Sequence, residues 1–296
     1  VDLAYTSATF AENVVGGYDL FDCETVDSRG ISLPTVPAGS TWESGGVSYE
    51  AGNDVISDRA LRQAMNFALD RDLAIQHTLG GFGTPAFSVS DGMPWASEDM
   101  QVATDIERAR QILADGGWAA GDDGTLVKDG VRAEFYLLYM APDTVRQALA
   151  ADFAEQMAPL GIKVNVQGLS WDDLEPQSYS QAILWGWGSN SPVEIYELNH
   201  SQGWGDYACR ADETTDDYLD QAVAQPDIAD SYEYYRLAQW DGQTGVTPSS
   251  DAPWVWIANV DHLYFVREGL QVAEQKPHPH GHGWSIVNNV DQWSWQ

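Results

Sequence analysis

The histidines near the carboxyl end are the first residues in this sequence whose type and spacing could do chemistry. His278, His280 and His282 alternate with Pro279 and Gly281. Alternate residues on an extended chain point the same way, so neutral imidazoles in this pattern could meet nickel, copper or zinc. A turn is as natural for Pro and Gly, and no neighbour supplies an outer shell, so no metal ligand is assigned. The acidic pairs offer less. Asp122-Asp123 lacks the further spaced oxygens and terminal Glu of a calcium loop, and Asp172-Asp173 reads as solvated surface. The sequence has no Gly-x-Ser-x-Gly elbow, phosphate-binding loop or dinucleotide fingerprint. The two carboxylates of a glycosidase need no local motif, so a secreted glycoside hydrolase stands as the enzyme alternative. The residues otherwise read as a binding protein, not an enzyme, with no cofactor.

Binding chemistry is written mainly in aromatics beside glycines, as in Trp185-Gly186-Trp187-Gly188 and Gly203-Trp204-Gly205, within 13 Trp and 13 Tyr overall. Such residues line clefts for flat or amphipathic ligands, although most serve as core. Ala182-Ile183-Leu184-Trp185-Gly186-Trp187 reads as a buried strand, and in open α/β sheets such strand ends face the ligand crevice. Upstream, Pro142-Asp143-Thr144 opens a helix that Gly161 closes, between the strand 133–139 and the alternating strand 162–166. Strand, helix, strand over this length is a crossover unit and predicts parallel strands in an α/β domain.

The remaining elements follow from local signals. Residues 28–55 are rich in Gly, Ser and Pro and read as loop with a short hairpin. Leu61, Ala64, Met65, Ala68 and Leu69 predict one amphipathic helix from Ser57 or Asp58 to Gly80-Gly81. Residues 82–103 read as an ordered loop. Thr104-Asp105-Ile106-Glu107 is a capping box that starts a helix stopped by Gly116-Gly117. Asp123-Gly124 and Asp129-Gly130 mark hairpin turns. Helices are expected from Asp216 and around 232–239, then strands over 252–259 and 262–266.

The 45 acidic against 14 basic residues give a formal charge of -31. Scattered Lys and Arg cannot form the clustered surface that nucleic acid requires, so nucleic acid is excluded as a partner. No apolar run approaches the ~18 residues of a spanning helix. Cys23 and Cys209 are too few and too distant for a zinc motif or a disulfide framework; one disulfide in an exported protein and two buried thiols both stay open. Val1-Asp2-Leu3-Ala4-Tyr5 opens directly on a strand-like stretch, which reads as the interior of a larger protein.

This order of signals resembles extracellular solute-binding protein family 5, the peptide- and nickel-binding proteins of ABC importers, across nearly the whole chain. Val1-Asp2-Leu3-Ala4 is similar to the family's Gly-acid-Val-Asp-Ile-Ala phrase. Leu61-Arg62-Gln63-Ala64-Met65-Asn66-Phe67-Ala68-Leu69-Asp70-Arg71 resembles its helix of form V-R-Q-A-L-N-x-A-I-D-R. Ala109-Arg110-Gln111-Ile112-Leu113-Ala114-Asp115-Gly116-Gly117-Trp118, Lys128-Asp129-Gly130, Leu160-Gly161-Ile162-Lys163-Val164, Gly186-Trp187-Gly188 and Ala252-Pro253-Trp254 follow at the expected distances.

The resemblance implies an α/β, periplasmic-binding-protein-like fold (type II, peptide-binding class), here one complete lobe plus part of the other. Residues 1–22 would be a fragment of the first lobe, 23–255 the second lobe, and 256–296 the return strands and tail of the first. It also implies capture of an oligopeptide or small solute for ABC permease subunits by a monomer. The place would be the extracellular face of the membrane or a periplasm, with a lipid anchor on the full-length protein. Backbone at Gly186, Trp187, Gly188, Ser189 and Asn190 would pair with an extended ligand, and Tyr5 and Ser7 would face it from the first lobe. Asn190 and Leu184 stand where peptide binders place an Asp and an Arg, which replaces charged contacts by neutral ones. A nickel or metal-chelate binder is therefore the alternative within transport.

Overall fold

The computed structural model describes residues 1–281 and 283–296. Its centre is a six-stranded sheet in the order Lys163–Leu169, Glu134–Met140, Ala182–Trp187, Ser28–Ser32, Trp254–Val260, Gly83–Pro85. Glu134–Met140 runs parallel to both of its neighbours, as the crossover predicts. The remaining pairings are antiparallel. The crossover helix Thr144–Met157 lays Leu149, Ala150, Phe153 and Met157 into one core with Ile31, Phe135, Leu137 and Leu184. Asp143 caps it, its Oδ1 accepting from Arg146 N at 2.9 Å. On the other side, an aromatic core gathers Trp187, Tyr207, Tyr235, Trp254 and Trp256.

Four sequence expectations change, the first being the loop expected over 82–103, within which Gly83–Pro85 is an edge strand paired with Trp254–Val260. Ser28–Ser32, expected as loop, is a central strand with every residue buried. Its serines are tolerated because their hydroxyls are bonded: Ser28 Oγ donates to Trp187 O at 2.9 Å, and Ser32 Oγ accepts from Trp185 Nε1 at 3.0 Å. Gly30 has no side chain because the Trp256 ring lies against its Cα. The single helix expected from 57 to 80 is two, Arg59–Ala68 and Arg71–Leu79. Asp70 divides them: its side chain accepts from Leu73 N at 2.9 Å while its own N–H donates to Gln156 Oε1 at 2.7 Å, so the local cap outcompetes helix continuation. Thr104 does not cap the next helix; Asp105 does, and Thr104 Oγ1 donates to Leu69 O. The hairpin Ser40–Ser44 with Val47–Ala51, the turn hairpins after Trp118 and the helices Glu213–Val223 and Ile228–Gln239 form as expected.

A second, three-stranded antiparallel sheet has His262–Arg267 between Leu3–Thr6 and Tyr18–Cys23. Cys23, Tyr264, Val266 and Ile286 form its core. The chain passes between the two sheets at residues 24–27 and again at Asp261. Strand Trp254–Val260, which contains residue 255, lies wholly in the large sheet. Cys23 and Cys209 are separate, buried, free thiols. Among the described residues no helix is long and apolar enough to cross a membrane.

Placing a methyl at Gly30 forces the buried Trp256 ring to move. Gly30→Ala in the full-length protein should destabilise it by about 2 kcal/mol, read as a lower urea midpoint at unchanged slope.

Candidate functional site

Where the chain first passes between the sheets, several short bonds fasten it. Thr25 Oγ1 donates to Val260 O at 2.8 Å, and Asp27 N donates to Thr25 Oγ1 at 2.9 Å. Val260 N donates to Asp27 O at 2.8 Å. The tail joins the same crossing, with Val26 N donating to His278 O and His278 N to Glu24 O. His280 N donates to Gly188 O at 2.8 Å, so the segment 278–280 touches both the crossing and the end of strand Ala182–Trp187.

Asp27 is buried there with both carboxylate oxygens occupied. Oδ1 accepts from Arg29 Nη1 and from His280 Nδ1. Oδ2 accepts from His262 Nε2 at 3.1 Å and Arg29 Nη2 at 3.3 Å. Burial works against the charge, but the Arg29 guanidinium and the bonds from His262, His280 and Arg29 hold this carboxyl well below the usual carboxylate range. Arg29 Nε is buried without a partner among the described residues.

A second guanidinium arrives from the crossover helix. Arg146 Nη1 donates to Asp143 Oδ2 at 2.5 Å. Burial first, and then the charge of Arg29, push Arg146 below its ordinary pKa. The two arginines therefore sense one another. Together with Tyr5, Tyr264, Met140, Asp143, His262, His280 and the tail residues Trp284, Ile286 and Val287, they line an open cleft of about 760 Å³ between the sheets. Such a site offers the charge of two guanidiniums and the Arg146 donors not taken by Asp143 to a carboxylate, beside aromatic and apolar walls for the rest of a small solute.

The expected ligand residues distribute unevenly around this cleft. Gly186 lies beneath it, its missing side chain leaving room for His280 and the Arg146 guanidinium. Tyr5 projects into it, 61% exposed and edge-on to Tyr264. Gly188, at φ +131, packs against Val26 O where no Cβ fits, and its N–H donates to Glu194 Oε2 at 2.9 Å. Burial lifts the Glu194 carboxyl to about 7 despite that bond. Trp187 turns away into the aromatic core beside Trp204 and Tyr207. Ser189 closes a turn through Ser191, and Ser7 precedes the short helix Ala8–Ala11, away from the cleft lining. Asn190 Nδ2 donates to Pro277 O at 3.3 Å and borders a second hollow against the tail.

The histidine tail does not form the alternating metal set that its spacing suggested. His278 is buried against His262 and Cys23, His280 bonds Asp27, and His282 lies outside the described residues. Among the described residues no three His, Cys, Asp or Glu side chains are placed to hold a metal ion. Asp27, Arg29, Arg146 and His262 were absent from the sequence candidates. One local signal could have pointed to one of them: Asp143 and Arg146 stand three apart at the start of a helix.

Parallel strands ending at a cleft, with a small second sheet across it joined by two chain crossings, define a periplasmic-binding-protein-like solute-binding fold. The particular family follows from sequence: the profile of the bacterial extracellular solute-binding proteins, family 5 Middle, matches residues 28–207, and the chain belongs to that family. It is 31% identical over 231 residues to Protein XP55 of Streptomyces lividans, covering 75% of this chain and 41% of that one. It is 28% identical over 165 residues to the oligopeptide-binding protein AppA of Bacillus subtilis, covering 52% and 30%. In structure it is similar to NikZ of Campylobacter jejuni in complex with Ni(L-His), at TM-score 0.78 and 20% identity over 99% of this chain and 57% of that one. It is also similar to AppA of B. subtilis in complex with a nonapeptide, at TM-score 0.74 and 20% identity over 100% and 56%. The chain thus spans less than two thirds of the length of each.

Because the folded-state carboxyl of Asp27 is depressed, its contribution to stability is present above the ordinary value of about 4 and is lost as pH falls through the folded value. Asp27→Asn, which leaves Arg29 and His262 facing a neutral group, should cost about 3 kcal/mol at pH 7. Denaturant unfolding of the two proteins from pH 7 down should show that gap narrowing in acid.

Proposed function

We propose that the full-length protein is the substrate-binding component of an ABC importer, and that it captures a short peptide or related small solute carrying a carboxylate. The observation that carries this reading is the meeting of Arg29 and Arg146, from a central strand and the crossover helix, at one cleft between the two sheets. Each already has a carboxylate neighbour, Asp27 or Asp143, so the solute's carboxylate adds to a held pair of guanidiniums and does not have to organise them. Gly186 lies under the cleft and Tyr5 contributes an aromatic wall, and Gly188, Ser189, Asn190, Trp187 and Ser7 support the strand end and the first strand. Residues 1 to about 22 and the tail form part of one lobe, the large sheet and its helices form the other, and they close over ligand at the crossings. The protein works as a monomer outside the membrane, lipid-anchored in its full length, and presents its solute to permease subunits.

A nickel–amino-acid chelate is the second reading, favoured by the structural likeness to a protein solved with Ni(L-His). It also brings a carboxylate to the arginines. Both readings describe a binder, so ligand should raise the melting temperature of the protein, and no sugar should be released from a glycan panel.

Calorimetry of the full-length protein against dipeptides, oligopeptides and nickel–histidine should give heat with one class. Silence with all three would sink both readings. Arg146→Ala should weaken binding of that solute by about tenfold to a hundredfold, the range for one charge-assisted bond. Masking the solute's carboxylate as an amide should produce a similar loss, and the two losses should not add.

A further inference from the structure

Strand Ala182–Trp187 reaches the cleft with unequal support on its two sides. Its register with Ser28–Ser32 continues to Trp187, but its register with Glu134–Met140 ends at Leu184. Past Leu184 an extended ligand would add itself, since a peptide joins a sheet through the N–H and C=O groups left at an edge. The groups at the end of this strand are already used. Gly188 O accepts from His280 N at 2.8 Å, and Gly188 N donates to Glu194 Oε2 at 2.9 Å. Trp187 O accepts from Ser28 Oγ. Gly186 lies beneath the His280 ring and the Arg146 guanidinium.

The occupant is the chain's own tail, held from several directions. His278 forms a parallel bridge with Thr25, its N–H donating to Glu24 O at 3.1 Å and its C=O accepting from Val26 N at 2.9 Å. Asn190 Nδ2 donates to Pro277 O at 3.3 Å, and the His280 ring bonds Asp27. Lifting the segment from the strand end breaks these four bonds together with the one to Gly188. The residues that alternate with the histidines make the segment an end. Pro277 and Pro279 have no N–H, so they offer no amide donor to a further strand. Position 190 fits the same arrangement. Pro277 O only accepts, so the side chain facing it must give a hydrogen; the Asn190 amide does, whereas an ionised Asp would set oxygen against oxygen.

We infer that segment 277–280 is the permanent occupant of the strand end, and that the cleft takes a compact carboxylate solute, of amino-acid, dipeptide or small-chelate size, gripped by side chains and not paired through an extended backbone. This rests on the proposed binding function, whose solute class it names. The carboxylate meets the Arg146 donors not taken by Asp143, under the charge of Arg29, and the remainder lies against Tyr5, Tyr264 and Met140. The cleft, of about 760 Å³, has the size usual for small-solute sites. A longer peptide finds neither the N–H nor the C=O of Gly188 free to continue its pairing, so each added residue brings an ordering cost without that bond.

The test uses the full-length protein. Its probes are pools of amino acids, of dipeptides and of pentapeptides, all with free carboxyl ends, and nickel–histidine; binding is read by native mass spectrometry and the His280 amide by hydrogen exchange. Without solute that amide should exchange at least about tenfold more slowly than in an unstructured chain, and the protection should persist when solute binds. The bound mass should be that of an amino acid, a dipeptide or the chelate, with pentapeptides weaker by about tenfold or more. An unprotected His280 amide overturns the inference whatever the protein binds. A pentapeptide bound as tightly as the smaller probes, or a solute that releases the His280 amide, also overturns it and leaves the importer reading intact. Silence with every probe overturns the binding function and the solute class with it, and is told apart from the other failures by a His280 amide that stays protected.

Discussion

The carboxylate of Asp27 lies where the chain passes from one sheet to the other, and burying it alone would cost several kcal/mol. The structure meets that cost with three partners from different parts of the chain: Arg29 on the central strand, His262 at the start of the return strand, and His280 in the tail. Of the three, only Arg29 is near Asp27 in sequence. Each must be delivered by its own element, so the carboxylate sets how the two sheets and the tail meet. It also decides that Arg29 stays at the cleft floor as a cation with much of its donor capacity turned toward Asp27.

Close approach around this centre depends on missing side chains. Gly186 lets His280 and Arg146 settle over the strand end, and Gly188, in a backbone region that L side chains rarely adopt, lets Val26 press against it. Gly30 does the same for the Trp256 ring on the adjacent strand pair. The aromatic residues beside these glycines thus divide by direction. Tyr5 faces the cleft, whereas Trp187 and Trp256 fill the core that keeps the strands in place. A Gly-Trp strand end therefore contributes its glycine to the site and its tryptophan to the scaffold.

Elements governed by local chemistry were legible in the sequence. Apolar spacing marked the helix containing Leu61, Ala64 and Met65, Gly80 marked where the following helix stops in the left-handed region, and the strand–helix–strand order announced parallel pairing. Ser28–Ser32 was not legible, because its five residues lack the apolar run of a buried strand. Its place is secured by neighbours far along the chain, Trp187 and Trp254–Val260. The break at Asp70 also escaped apolar spacing, which continues smoothly through a point where a cap and a bond from Gln156 end one helix and begin another.

By itself the sequence determined the class of fold, the family likeness and the acidic surface, since propensity, capping and composition act over short distances and need no partner. Tertiary structure alone decided the site. His278, His280 and His282 suggested one metal set in the sequence, yet folding sends His278 to His262 and His280 to Asp27, because a buried carboxylate and a buried imidazole must each find a hydrogen-bonding partner. Arg29 and Arg146 are 117 positions apart (146 − 29), and only the sheet order, with Ser28–Ser32 beside Ala182–Trp187 and the crossover helix across their ends, turns them to the same cleft. Local spacing cannot encode that meeting; packing does.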